Sequence, residues 1–213
     1  MRRAIIIAAV LASCSDGSKP PTPLPPSASG WSVQFSQGAN PLVDLGNGAW
    51  YIDFPTCDDC KLDQVVTPIN RALTGNITAV ISTQILTGAP VFDYKFEPTN
   101  TCDYPAHTRL YVQQKGDNFS GQGEYEFYRW WASDAAFRLD QWGQVTLTES
   151  VTKADAWSSV HGKTGDEALA EFTIAMANVG VAGFVFGGGC FYGHGVRTVG
   201  GTARFNMGSF SAQ

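Results

Sequence analysis

The sequence predicts an all-β domain, an antiparallel two-sheet sandwich of jelly-roll type with one short helix. Three observations predict it. Ten short runs of alternating apolar and polar residues recur between turn-forming residues from Trp31 to Phe210. The 213 residues include 23 glycines and 12% aromatics, and aromatics suit pleated, half-buried surfaces while glycines suit bulges and tight turns. A single segment, "TGDEALAEFTIAMANVG", reads instead as a helix. Ten strands are too many for one small flat sheet, so two packed sheets are expected, with a lipocalin-like barrel as the alternative.

Taken in order, the chain begins "MRRAIIIAAVLASC", in which Arg2 and Arg3 precede an apolar run from Ala4 to Ala12. That run is far shorter than the roughly 20 residues a membrane-spanning helix needs, so residues 1–13 read as a processing signal. Its end, Leu11-Ala12-Ser13-Cys14, resembles the lipobox of bacterial lipoproteins. The resemblance implies cleavage before Cys14, lipid on its thiol, a membrane anchor and, through Ser15, a place in the outer membrane of the bacterial envelope. Residues 14–30 then form a proline-rich tether, since proline resists helix and cannot donate to a sheet ladder. Stretched as polyproline, about 16 residues at roughly 3.1 Å each reach about 50 Å from the bilayer.

Residues 31–213 make one domain. The expected strands are Trp31 to Phe35, Trp50 to Phe54, Ile77 to Leu86, Val91 to Phe96, Thr108 to Gln114, Glu124 to Trp131, Gln144 to Thr148, Ala182 to Phe186, Cys190 to Val196 and Thr202 to Phe210. "TVGG", Thr198 to Gly201, is expected to be a tight connection, because its glycines permit positive φ. Asp166 to Asn178 is the expected helix, with acidic residues in its first turn, apolar Leu169, Phe172 and Met176, and Gly180 as its stop.

Loss of Arg2 and Arg3 with the leader turns 14 basic residues into 12 against 19 acidic ones, a net charge of −7. With no basic stripe, nucleic acid is excluded as a partner. The absence of GxSxG, HExxH and P-loop patterns removes the common serine hydrolase, zinc protease and nucleotide readings, and no cofactor is expected. Four cysteines follow the anchor: Cys57, Cys60, Cys102 and Cys190 are disulfide candidates in an exported protein. A zinc site of Cys57, Cys60, Cys102 and His107 is the alternative. Asp58, Asp59 and Asp63 read as solvated turn residues, and no metal is expected there.

Alternation separates the strand faces. In "EYEFYRWW" one face carries Glu124, Glu126, Tyr128 and Trp130, and the core-like face carries Tyr125, Phe127, Arg129 and Trp131. In "TRLYVQQ", Leu110 and Val112 turn inward, sending Arg109, Tyr111 and Gln113 to the opposite face. Aromatic rings stack on sugar C–H patches while fixed polar groups hold hydroxyls. Arg109, Tyr111, Glu126, Tyr128 and Trp130 are therefore the expected glycan platform. Tyr192 and His194 flank a trough left by Gly193 and Gly195, either a ligand groove or the seat of a tryptophan. Scattered tryptophans and late glycine-rich strands are similar to β-sandwich modules that bind or cleave carbohydrate. That resemblance implies a polysaccharide partner, with a glycoside hydrolase or lyase, for which Glu124 and Glu126 are the acid pair, as the catalytic alternative. An envelope adhesion module whose aromatic face docks a protein is the third reading.

Overall fold

The computed structural model describes residues 30–94, 105–188 and 194–213. Two antiparallel sheets pack face to face, as expected of a sandwich. The strands are β1 (Ser32–Gln34), β2 (Val43–Gly46), β3 (Ala49–Asp53), β4 (Gln64–Arg71), β5 (Asn76–Asp93), β6 (Ala106–Gln114), β7 (Arg129–Arg138), β8 (Gly143–Ser150), β9 (Trp157–Ser159), β10 (Val179–Gly188) and β11 (Arg197–Ala212). The six-stranded sheet runs β1-β4-β10-β6-β7-β9, and the five-stranded sheet runs β2-β3-β11-β5-β8. Between them lies an aromatic core in which Trp31 stacks on Phe184 at 5.8 Å and Phe186 meets Phe205 edge-on at 5.1 Å.

One helix, α1 (Leu169–Ala177), closes one end of the sandwich. Phe172, Ala175 and Met176 are buried beneath it, and the Phe172 ring lies 5.0 Å from that of Trp130. Leu169, expected on the apolar stripe, is exposed instead, because the chain enters the helix later than Asp166 and the stripe starts at Phe172. Thr164 prepares that entry by donating its backbone N–H to Glu167 and its hydroxyl to Asp166.

Several expected boundaries move, each for a physical reason. The break expected at "TGAP" is absent: β5 runs unbroken for 18 residues beside β11, and Gly88 pairs with Gly201 across the ladder. Gly88 at φ +64° and Gly200 at φ +77° permit a coupled bulge, and a Cβ on Gly88 would strike the Gly200 carbonyl. "TVGG" is accordingly a register shift inside β11 rather than a turn. β4 was hidden by Pro68. Its partner β1 covers only Gln64 to Val66, so the proline lies where β4 has become an edge and no donor is missed. Residues 189–193 lie outside the described residues, so the expected Cys190 to Val196 strand is seen only from His194 onward, where Val196 makes an isolated bridge to Leu62.

Candidate functional site

The expected platform does not form, because the strand that was to carry it starts later. Gly123–Phe127 is a 3-10 helix, and β7 begins at Arg129. Glu124 and Glu126 are thus not alternate residues of a strand, and Glu126 instead pairs with Lys163 at 3.5 Å. Tyr128 ends the 3-10 helix, half-buried, with its ring 4.8 Å from that of Tyr125. Trp130 points into the core: it is 0% exposed, and its indole N–H donates to the Phe127 carbonyl at 2.7 Å.

Trp131, assigned to the core by alternation, stands on the outer face with Tyr111 and Val185. Arg109, Tyr111, Gln113 and Arg129 share that face, but it is sealed rather than open. Residues 115–122 fold across it. Asp117, whose side chain has no exposure, accepts from Gln113 at 3.0 Å and pairs with the Arg129 guanidinium at 3.0 Å. The Phe119 ring reaches Phe35 at 4.7 Å, and both residues hold positive φ, 64° and 53°. Tyr111 is wholly buried, which pushes its phenol well above the ordinary value. Its hydroxyl lies beside the Gln64 amide, yet neither that hydroxyl nor Gln64 Oε1 has a partner in hydrogen-bond geometry among the described residues.

Arg109 has a structural task. Four residues of β7, Ala132 to Ala135, stand against one of β6, Leu110, and the Arg109 guanidinium donates to the carbonyls of Ala132 at 3.3 Å and Ser133 at 2.7 Å. It satisfies the carbonyls that the irregular ladder leaves over.

A polar cleft of about 420 Å³ opens at the end of the sandwich opposite α1, where β1, β3 and β5 finish and β4 and β11 begin. Gln37, Asp58, Asp59, Cys60, Lys61, Asp93, Tyr94, Gly195 and Arg197 line it. Arg197 is its organising residue. The guanidinium donates through Nε and Nη2 to Asp93 at 3.0 and 2.9 Å, and through Nη1 to Asp58 at 2.7 Å and to the Cys57 carbonyl at 3.0 Å. It therefore ties the β3–β4 turn to both β5 and β11, and its own proton is held more tightly by Asp58 and then Asp93.

Cys57 and Cys60 are joined in a disulfide within that turn, so two of the four disulfide candidates pair with each other. Their bond removes two of the thiolates that the alternative zinc site required. Cys102 and Cys190 lie outside the described residues, as do Tyr192 and Cys14. Among the described residues no cluster of three metal-ligating side chains occurs.

The glycine-rich stretch supplies close packing to this end of the molecule. The Tyr94 ring lies against Gly188, and the aliphatic stem of Lys61 lies against Gly195, whose φ is +88°. Of the two glycines of the expected trough, Gly193 lies outside the described residues, and at Gly195 the close neighbour is the Lys61 stem rather than a tryptophan. His194 is exposed at φ 82°, immediately before the cleft-lining Gly195. Its backbone N–H faces Asp63, a carboxyl whose burial raises its pKa to about 7 against the opposing pull of Lys61, 3.5 Å away. Alternation could not reveal the cleft, because its residues come from four loops and strand ends. The signal available in the sequence was the turn "CDDC" itself. No family model, curated protein or solved structure matches the chain.

Proposed function

We propose that the domain binds a neutral or amino-sugar glycan in the cleft organised by Arg197, and that lipid on Cys14 holds it at the bacterial envelope. The cleft itself supports the first part: its volume falls in the range of small-ligand sites, and its walls carry hydrogen-bonding groups fixed before any ligand arrives. Sugar recognition needs many oriented donors and acceptors, and Gln37, Asp59 and Lys61 supply them beside the Tyr94 ring. Charge narrows the class. Three lining carboxylates, Asp58, Asp59 and Asp93, face two cations, Lys61 and Arg197, within an acidic domain, which disfavours sulfated or uronic polymers. The lipobox-like Leu11-Ala12-Ser13-Cys14 and the proline-rich tether support the second part.

The test is binding of the purified domain to chito-oligosaccharides, their deacetylated glucosamine forms and polygalacturonate. Glucosamine and neutral oligomers bind and polygalacturonate does not, and Arg197→Ala, which frees Asp58 and Asp93 from their common partner, weakens binding at least about tenfold, or 1.4 kcal/mol. Binding that prefers the polyuronate, or that is unchanged in Arg197→Ala, rejects the reading.

A further inference from the structure

We infer that the Cys57–Cys60 disulfide is a thiol–disulfide exchange site that accepts electrons from a dithiol, rather than a folding staple. Three observations carry this beyond the glycan reading. First, the bond spans a sequence separation of three, so closing so small a ring removes little freedom from the unfolded chain. Second, the turn is held without it. Arg197 grips the Cys57 carbonyl and Asp58 on one side, and on the other Gln37 and Lys61 exchange backbone hydrogen bonds at 2.9 and 2.7 Å. The Cys60 N–H also reaches the Cys57 carbonyl at 3.2 Å, closing the turn through the backbone. After reduction the two thiols therefore stay side by side, ready to be oxidised again. Third, the two sulfurs are not equivalent. Cys57 is exposed, whereas Cys60 is half-buried with its Sγ against Gly38, where even a Cβ would collide.

That asymmetry sets the order of events. A thiolate of the dithiol attacks Sγ of Cys57, forming a mixed disulfide, while the Cys57–Cys60 bond breaks and its electron pair leaves on Cys60, which takes a proton from water. The second thiol of the reagent then attacks its own sulfur in the mixed disulfide and releases Cys57 as a thiolate, which is protonated in turn. The dithiol ends as a disulfide, and Cys57 and Cys60 end as two thiols, two electrons and two protons having moved. Because Cys60 lines the cleft, the couple sits in the wall of the pocket.

The full chain, treated with dithiothreitol under native conditions, alkylated and mapped by peptide mass, carries label on both Cys57 and Cys60 while its circular dichroism and melting temperature stay near those of the oxidised protein. Label at these residues only after denaturant, or loss of the fold in the Cys57→Ser/Cys60→Ser double variant, overturns the inference. Single variants test the asymmetry. The Cys57 thiol left by Cys60→Ser exchanges with 5,5′-dithiobis(2-nitrobenzoate) about tenfold faster than the Cys60 thiol left by Cys57→Ser. Equal rates or the reverse order overturn the assignment of Cys57 as the attacked sulfur. Neither readout involves sugar, so failure here is distinguishable from failure of the glycan reading.

Discussion

At the scale of single residues, charge buried near the cleft makes stability depend on pH. The Asp63 carboxyl has a pKa of about 7 in the folded domain against an ordinary 3.8, because burial penalises its charged form more than Lys61 and the His194 N–H favour it. Between those values the folded state holds a proton that the unfolded chain has released. Stability from this group is therefore full below about pH 4, falls by up to about 1.4 kcal/mol per pH unit, and is lost as pH rises through 7. Asp63→Asn flattens the melting temperature over that window, and an unchanged slope contradicts the assignment. Trp130 offers a second test. It is wholly buried against Phe172, so Trp130→Ala costs about 3–5 kcal/mol in denaturant titrations. Glycan affinity of the folded fraction stays the same, whereas a selective loss of affinity would return Trp130 to a ligand surface.

At the scale of elements, what was legible depended on whether the period of two survived. It survives in β6, where Leu110 and Val112 face inward and Tyr111 outward as alternation requires. It fails across "EYEFYRWW", whose first four residues wind with Gly123 into a 3-10 helix before β7 starts. The phase is lost there, so Trp130 and Trp131 exchange faces relative to the sequence reading. Two adjacent tryptophans read equally well in either phase, and no local signal separated them. Proline hid β4 and glycine divided β5, since both residues usually mark ends, and only pairing partners reveal that here they mark an edge and a bulge. The segment that seals the outer face was illegible for another reason: Asp117 and Arg129 meet only once β7 lies beside β6. Breaking that pair with Asp117→Ala leaves a guanidinium that is mostly buried, and destabilises the domain by about 3 kcal/mol in chemical denaturation. A loss within the roughly 0–1 kcal/mol of exposed pairs contradicts the sealing role.

At the scale of the whole molecule, α1 closes one end of the sandwich and the cleft opens at the other. Strand ends and turns there were free to take polar residues, because the core is completed by the sheets between. The proline-rich stretch and the lipobox-like Leu11-Ala12-Ser13-Cys14 precede this body in the chain, and under the proposed anchoring Cys14→Ser is expected to shift the protein from the membrane to the soluble fraction on cell fractionation. Continued membrane association of that variant contradicts the anchor. Sugar recognition is proposed at the cleft rather than on the sealed sheet face. Backbone amide shifts followed by NMR during titration with a glucosamine oligomer test it most directly. Shifts are expected to concentrate at Gln37, Asp58 to Lys61, Asp93 and Arg197. Shifts centred instead on Tyr111, Gln113 and Trp131, or none at all, would contradict it.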